Sequence, residues 1–356
     1  MIINMNNMKF KSLTVCLDMR GCPNRCRHCW LGAAPNGHMT ASDLEAAAEQ
    51  FRPYADSFEI FDWYREPDFG GDYRDMWELC GRLSDRQTGH FELISFWRLV
   101  RDEKYADWLA SLGLKSAQLT LFGSEETTDR YIGRKGAYRE LLQAIDILLC
   151  HGIAPRIQAF VNRENLSELW KLERLISELR LEERCREIGA DFAFFLHQGS
   201  CDGENERLYD IRVTPEDIAK IPPALAEYTL RYFGKSDLSG VFGRTEGELC
   251  RELLADQSTE SLAGGSPVIY IDRDFDAYPN ISAPESHWRL GNLKRDGAGK
   301  ILENYAMNLS PAQHIRSTVP LCELASVGNP DGRALFSRDD YIIFLLNRYC
   351  RKKSEV

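Results

Sequence analysis

Residues 13–30 read LTVCLDMRGCPNRCRHCW, a short apolar run followed by three closely spaced cysteines. The run LTVCLD (13–18) is predicted to be a β-strand because it is short, aliphatic and partly β-branched. Cys22, Cys26 and Cys29 follow it within one loop, separated by three and then two residues. The stretch therefore predicts a set of metal-binding side chains directly after the first strand.

Strand-like and helix-like stretches alternate from this point to residue 196. Five further strands are predicted over 57–62, 91–96, 117–122, 155–161 and 191–196, with helices over 39–51, 72–83, 103–111, 136–150 and 165–181. Six such units predict an α/β fold, with a parallel sheet, external helices and right-handed crossovers. Eight units would close a barrel, whereas six leave it open, and a ligand is expected at the carboxyl ends of the strands.

The pattern changes after residue 196 and predicts a second, smaller α+β region. The polar loop GSCDGENERLYD comes first and is followed by a helix that begins at Thr214 and Pro215. A hairpin is predicted over 268–279, with helices in 297–309 and 337–350. We therefore expect three parts: a barrel, a helical connection and a C-terminal domain, over residues 1–200, 201–266 and 267–356.

Composition excludes several classes of protein. The chain has 356 residues, of which 44% are hydrophobic and 28% charged, and its net charge is −10. These are globular values, and no window approaches the roughly 18 apolar residues of a membrane span. The acidic balance argues against partners such as nucleic acid or an anionic membrane. Eleven cysteines, an odd number, without a secretory signal predict a cytoplasmic protein.

The cysteine triplet fits an iron–sulfur cluster better than a zinc ion. Three thiolates could bind three irons of a 4Fe–4S cluster and leave the fourth iron open to a ligand. Structural zinc needs four protein ligands, usually as two CxxC pairs, and no second pair follows this one. His28 lies inside the triplet, so zinc remains the alternative.

A CxxxCxxC motif directly after the first strand of a six-unit β-α domain resembles the radical SAM superfamily. The resemblance covers residues 13–200 and continues more weakly to about 310. It implies a partial (β/α)6 TIM-like barrel in which Cys22, Cys26 and Cys29 hold one 4Fe–4S cluster. It also implies S-adenosyl-L-methionine as cofactor, cleaved to methionine and a 5′-deoxyadenosyl radical that takes hydrogen from the substrate. An external electron donor such as flavodoxin or ferredoxin is implied as partner.

The same resemblance assigns residues near the first two strands to the cofactor. His28 stands before the third cysteine, where the family usually has an aromatic ring near the adenine. Tyr64-Arg65-Glu66-Pro67 matches the Glu-Pro half of the family's Gly-Gly-Glu-Pro turn, without the glycines. Glu66 is thereby implied as ligand of the methionine ammonium group. The alternative is a surface turn fixed by Pro67.

Later strands supply the other implied cofactor residues. Ser124 and Glu125 stand where the family has a ribose-binding side chain, and Arg134 where an arginine meets the cofactor carboxylate. Asn162 follows the fifth predicted strand and could face the pocket. His197, at the end of the sixth, is expected beside the adenine. Solvated surface side chains are the alternative for these positions.

The C-terminal region resembles a degenerate SPASM or twitch extension, which in the family carries auxiliary clusters. VIYIDRDFDAYPN and WRLGNLKRDGAGKILENY look like its hairpin and helix, but Asn280 stands where a cysteine is usual. Cys250, Cys322 and Cys350 lack CxxC partners, so a single cluster is expected. In the alternative, Cys250 and Cys322 bind an auxiliary cluster together with other ligands.

Without an auxiliary cluster as internal electron acceptor, redox-neutral reactions are favoured over oxidative cross-linking. Epimerisation, elimination, decarboxylation and rearrangement are therefore expected on a small molecule or peptide, in natural-product or cofactor biosynthesis. Cys201 is a candidate hydrogen-atom donor for an epimerase. Alternatives are a non-catalytic iron–sulfur or zinc protein, and a peptide-modifying maturase with a cryptic auxiliary cluster. Aromatic residues expected near the mouth of the barrel are Trp30, Phe61, Trp63, Tyr64, Trp97 and Phe122.

Overall fold

The structure, a computed structural model, describes residues 9–32, 34–280 and 283–354. Its strands are β1 (Leu13–Leu17), β2 (Phe58–Phe61), β3 (Ser116–Leu121), β4 (Ala154–Phe160), β5 (Ala193–His197), β6 (Arg244–Thr245), β7 (Val268–Ile271), β8 (Asp276–Pro279), β9 (Gly291–Asn292) and β10 (Leu335–Phe336). Short 3₁₀ helices cover Arg52–Tyr54, Leu166–Glu168, Gly203–Ile211 and Ser286–Trp288.

The α-helices surround these strands. They are α1 (Ala41–Phe51), α2 (Tyr73–Leu83), α3 (Phe96–Leu99), α4 (Tyr105–Ser111), α5 (Glu125–Ile132), α6 (Ala137–Cys150), α7 (Leu169–Glu178), α8 (Leu181–Glu187), α9 (Pro215–Ile218), α10 (Pro223–Phe233), α11 (Ser239–Phe242), α12 (Glu246–Leu254), α13 (Leu293–Ala306), α14 (Pro311–Thr318), α15 (Leu321–Ala325) and α16 (Arg338–Ser354). Within the described ranges, no helix is long and apolar enough to cross a membrane.

Two sheets form the barrel wall. β3, β4 and β5 are joined in parallel, and β1 pairs in parallel with β2. Helices α4, α6 and α7 each lie between two of these strands along the chain, as connections between parallel strands require. The α/β class and the partial TIM-like barrel predicted from the sequence are confirmed.

The prediction of a strand over 91–96 is wrong. Only Leu93 pairs, as an isolated parallel bridge with Gln118, and α3 begins at the end of the segment. Ser95 caps α3, since its hydroxyl accepts a hydrogen bond from the Arg98 backbone N–H at 3.2 Å. The Arg98 guanidinium also donates to three backbone carbonyls of residues 68–70, which fixes the segment in this turn. The barrel wall therefore has a single bridge where the third strand was expected.

Helix ends follow local signals that are partly visible in the sequence. Thr40 and Asp43 form the predicted capping box of α1. The helix predicted over 165–181 is divided, because Arg180 adopts a left-handed backbone conformation (φ 51°) between α7 and α8. Helices α3, α5, α8, α11, α12, α14 and α15 were not predicted.

The predicted hairpin over 268–279 is confirmed as β7 and β8. Strand β7 also pairs in parallel with β1, with Val15 opposite Ile269. The barrel sheet therefore continues into the C-terminal region in the order β2-β1-β7-β8-β9. The domain divisions at residues 201 and 267 remain a proposal.

Candidate active site

Strands β3 and β4 present one polar face and one apolar face. Ala117, Leu119 and Leu121 are buried in the core, whereas the even-numbered residues of β3 are half-buried. β4 alternates in the same way, with half-buried Arg156 and Gln158. Because side chains alternate along a strand, the even-numbered residues share the face that lines the barrel lumen.

A cavity of about 580 Å³ opens in this lumen. It is lined by both polar and aromatic groups from the cysteine loop, from β3 and β4, from the end of β5 and from α16: Cys22, Cys26, His28, Cys29, Trp30, Glu66, Gln118, Thr120, Phe122, Gln158, Phe160, His197 and Asp340 are among its residues. The structure thus brings together the three cysteines, His28, Glu66 and His197. Two of the predicted mouth aromatics, Trp30 and Phe122, lie in this wall.

The cysteine loop is held against the end of α5. The backbone N–H groups of Arg25 and Arg27 donate to the carbonyls of Ile132 and Tyr131, at 2.9 and 2.8 Å. This pairing orients the loop so that its three cysteines are half-buried and face the cavity with free thiols. Burial raises the pKa of all three thiols. A cation or cluster that binds thiolates would offset this effect.

The three thiols do not converge on one point. Within the described residues, no group of three or more His, Cys, Asp or Glu side chains is close enough to hold a single metal ion. In a 4Fe–4S cluster each cysteine binds a different iron, so the sulfurs stand apart. The donor set, three cysteines that face one cavity, fits a cluster.

His28 is packed between two aromatic rings. Its ring centroid lies 4.9 Å from that of Phe122 and 4.8 Å from that of Phe160. Burial lowers the pKa of His28 to about 3, so the imidazole is neutral at physiological pH. Its Nδ1 is buried and has no partner among the described residues. One polar atom of the ring is therefore left for a ligand.

Glu66 faces the cavity beside the first cysteine. Its Oε2 lies 3.8 Å from Cys22 Sγ, and its Oε1 is buried without a partner in the described part of the chain. Burial raises the pKa of Glu66 to about 7. Pro67 is buried and also lines the cavity, so the alternative of a surface turn does not describe this segment.

Ser124, Glu125 and Asn162, three of the predicted cofactor residues, do not line the cavity. The backbone N–H of Ser124 donates to Glu168 at 2.7 Å, while Glu125 pairs with surface residue Arg139. Asn162 is buried and donates to the hydroxyl of Tyr131 at 2.7 Å. These contacts give the residues structural partners of their own.

Arg134 lies behind the cysteine loop. Its Nε donates to Asn24 Oδ1 at 2.9 Å and its Nη1 lies 2.7 Å from Glu140, whereas Nη2 is buried without a partner in the described residues. Asn24 stands between Cys22 and Cys26 in the sequence. Arg134 therefore holds the loop from outside the cavity.

The last two predicted residues have different positions. His197, the final residue of β5, lines the cavity, and its Nδ1 accepts a hydrogen bond from the Gly199 N–H at 3.1 Å. Burial lowers the pKa of His197 to about 4. Cys201, by contrast, is packed in the C-terminal core with residues such as Trp288. This position does not support the predicted hydrogen-donor role of Cys201.

Sequence reasoning missed the polar floor of the cavity. Gln118 and Thr120 on β3, and Gln158 on β4, all line it, as does Asp340 from α16. The signal was present as a period-two alternation of polar and apolar residues in AQLTLF and PRIQAFV. The position of Asp340 depends on how α16 returns to the barrel, which no local pattern shows.

Comparison with known proteins shows which families and folds this chain is similar to. Residues 17–176 match the family described as the Radical SAM superfamily. The Fe-coproporphyrin III synthase of Methanosarcina barkeri is 23% identical over 172 residues, which are 47% of this chain and 41% of that protein. The match thus spans less than half the length of that relative.

Two solved structures share the fold. Native anSMEcpe with bound AdoMet has a TM-score of 0.51 and 16% identity, and the alignment covers 96% of this chain and 98% of that one. Native anSMEcpe with bound AdoMet and the Kp18Cys peptide has a TM-score of 0.50, with the same identity and coverage. At this identity the likeness shows the fold.

Proposed function

We propose that this chain, whose residues 17–176 match the Radical SAM superfamily, is an enzyme that abstracts hydrogen from a peptide or a small molecule. One observation carries the proposal. Three free cysteines and Glu66, whose Oε1 has no partner among the described residues, meet in a single cavity at the carboxyl ends of the barrel strands. That is where barrels of this kind carry their active sites.

The radical SAM family uses a 4Fe–4S cluster and S-adenosyl-L-methionine, which together supply a 5′-deoxyadenosyl radical. In this chain Cys22, Cys26 and Cys29 would hold the cluster. Glu66 would accept hydrogen bonds from the cofactor's ammonium group, since its carboxylate lies next to Cys22 and its Oε1 bonds no residue in the described ranges. An ammonium ligand would also offset the cost of keeping this buried carboxylate ionised.

His28, with the rings of Phe122 and Phe160, would form the wall beside the adenine. A neutral imidazole between two inclined phenyl rings forms an aromatic wall, and its Nδ1 has no partner among the described residues, which suits a heteroaromatic base. These rings would also exclude water from the reacting centre. His197, which is neutral as well, would close the wall on the β5 side.

The remaining predicted cofactor residues are better suited to positioning. Arg134 supports the cysteine loop through Asn24. Ser124 and Asn162 fix the turns after β3 and β4 through Glu168 and Tyr131. In this proposal they shape the cofactor site from behind, and Glu125 makes no contact with the cofactor.

A peptide is the favoured substrate class, and a small molecule the alternative. The fold is shared over nearly the whole chain with anSMEcpe, which has been solved with a bound peptide. The scattered Cys250 and Cys350 are packed in the C-terminal core, and Cys250 Sγ lies 3.7 Å from the Ala325 carbonyl. We therefore keep the proposal of one cluster, a redox-neutral outcome and an external electron donor, with a degenerate SPASM or twitch region.

The test is the anaerobic release of 5′-deoxyadenosine. The reconstituted protein, supplied with dithionite and S-adenosyl-L-methionine, is expected to release it steadily. A protein that binds its cluster but releases none would be the non-catalytic alternative. About eight irons per chain in place of four would indicate an auxiliary cluster.

A further inference from the structure

Gln118 and Gln158 form a hydrogen-bonded pair across β3 and β4, at the floor of the cavity. Gln118 Nε2 donates to Gln158 Oε1 at 2.6 Å. Both side chains line the cavity, two strand positions or more below the layer of Phe122 and Phe160. The pair therefore lies deeper in the barrel than the rings assigned to the cofactor.

The orientation of both amides is fixed by Arg156. Arg156 Nη2 donates to Gln118 Oε1 at 3.0 Å, and a guanidinium has no acceptor atom. The atom of Gln118 that faces Arg156 must therefore be its oxygen, so its nitrogen faces Gln158. The atom of Gln158 that faces Gln118 must in turn be its oxygen. The NH₂ group of Gln158 is left over, and no described residue accepts a hydrogen bond from it.

The positive charge of Arg156 is neutralised by Glu92. Arg156 donates to Gln118, which donates to Gln158, and Arg156 also forms an ion pair with Glu92. This chain of hydrogen bonds therefore presents the NH₂ group of Gln158 to the cavity without a net positive charge. A buried carboxylate needs a compensating charge, whereas an uncharged carbonyl needs only a hydrogen-bond donor. The floor of the cavity therefore suits a neutral acceptor.

We propose that the side-chain amide of Gln158 is a specificity-determining group that donates a hydrogen bond to an amide carbonyl of a peptide substrate. The inference rests on the proposed function, whose cofactor occupies the layer of His28 above it. A carbonyl held on the floor places the neighbouring carbon atoms of the substrate between Gln158 and the cofactor. Arg156 and Gln118 act as positioning residues, because they fix which end of the Gln158 amide faces the cavity.

The test uses a library of capped tripeptides, acetylated at one end and amidated at the other. Binding to the cluster-loaded protein with S-adenosyl-L-methionine is measured anaerobically by calorimetry. Gln158→Glu replaces the donor with an acceptor of the same shape, and we expect it to weaken tripeptide binding at least tenfold. Gln143→Glu makes the same change on the exposed face of α6 and is expected to bind as the wild type does. Gln158→Met removes the donor without adding a charge and matches glutamine in size, so it serves if the Glu variant fails to fold. It is expected to lose most of the tripeptide affinity too.

The cofactor provides the second readout. In both Gln158 variants, the loss of tripeptide affinity is expected to exceed any change in affinity for S-adenosyl-L-methionine by at least tenfold. Loss of cofactor affinity with intact tripeptide binding would overturn the inference and assign Gln158 to the cofactor. A wild type that cleaves cofactor but binds no tripeptide would also overturn it. A wild type that cleaves no cofactor would instead refute the proposed function.

Discussion

Glu66 Oε2 lies 3.8 Å from Cys22 Sγ, although 44 residues separate the two in the chain. The contact brings a carboxylate to the edge of the cysteine loop, with its second oxygen unpartnered among the described residues. Such an arrangement suits a ligand that carries a cation next to a cluster. The first prediction follows from this pair.

Glu66→Gln should weaken the binding of S-adenosyl-L-methionine roughly tenfold, since a neutral amide cannot stabilise the ammonium group as a carboxylate does. Iron content should not change, because the cysteines remain. Equilibrium binding and iron analysis of the same preparation check both statements. Glu125→Gln, at a carboxylate paired with Arg139 on the surface, is the control. Equal affinities of the Glu66 variant and the wild type would refute the assignment.

Glu168 should stabilise the turn after β3 in a pH-dependent way. It accepts hydrogen bonds from the Ser124 N–H and from Lys171, both at 2.7 Å. Burial acts to raise the pKa of Glu168, but these hydrogen bonds outweigh it and lower the pKa to about 2. Because the folded-state pKa lies below the unfolded value of 4.5, the stabilisation is complete above about pH 4.5. It is lost as the pH falls towards 2.

Glu168→Gln should therefore lower the free energy of unfolding by about 1–2 kcal/mol at pH 7. The difference from the wild type should shrink below pH 4.5. Urea unfolding at pH 7, 4.5 and 3.5 measures it, and Glu126→Gln, at an exposed position on α5, is the control. A difference that is constant with pH would show that the carboxylate charge has no part in it.

Cys201→Ala should leave the chemistry intact. The thiol lies in the C-terminal core, and burial raises its pKa to about 12. Loss of the sulfur should cost about 1 kcal/mol of stability, as small core truncations do. Release of 5′-deoxyadenosine and its yield with a bound tripeptide should match those of Cys150→Ala, at an exposed cysteine. A variant that cleaves cofactor yet loses product would instead restore the hydrogen-donor role.

Arg351 should stabilise the packing of α16 against the segments that contain Glu206 and Glu285. Its guanidinium makes two hydrogen bonds of 2.6 Å to Glu206, and it also bonds Glu285 at 2.8 and 3.1 Å. Arg351→Met should lower the free energy of unfolding by about 1–2 kcal/mol, because a bidentate network exceeds a single surface pair. Arg333→Met breaks an exposed pair with Glu216 and should cost less than half as much. Urea unfolding of the two variants checks the difference, and equal losses would contradict it.

The sequence predicted the barrel and its cysteine loop because both depend on local patterns. The strand before Cys22 and the alternation of strands with helices are encoded in short stretches of sequence. These local preferences agree with the folded structure. The strand predicted over 91–96 failed because Ser95 caps a helix there and Arg98 bonds backbone carbonyls 28–30 residues earlier. That long-range contact outweighs the β-propensity of the segment.

The site was predictable only in part, for a similar reason. His197 ends β5, and His28 and Glu66 lie in the loops that follow β1 and β2, so their approach to the cavity follows from the fold. Cys201 also follows a strand end, but the chain turns there and packs the thiol into the C-terminal core. Glu125 forms an ion pair with Arg139 on the next helix and therefore does not reach the cavity.

The central claim is that Cys22, Cys26 and Cys29 hold a cluster that makes S-adenosyl-L-methionine reactive. Iron content and 5′-deoxyadenosine release, measured together on anaerobically reconstituted protein, test it most directly. The wild type and Cys150→Ala should bind about four irons and release 5′-deoxyadenosine. The triple variant in which Cys22, Cys26 and Cys29 are all alanine should bind no cluster and release none. Cofactor cleavage by that triple variant, or zinc in place of iron in the wild type, would contradict the account.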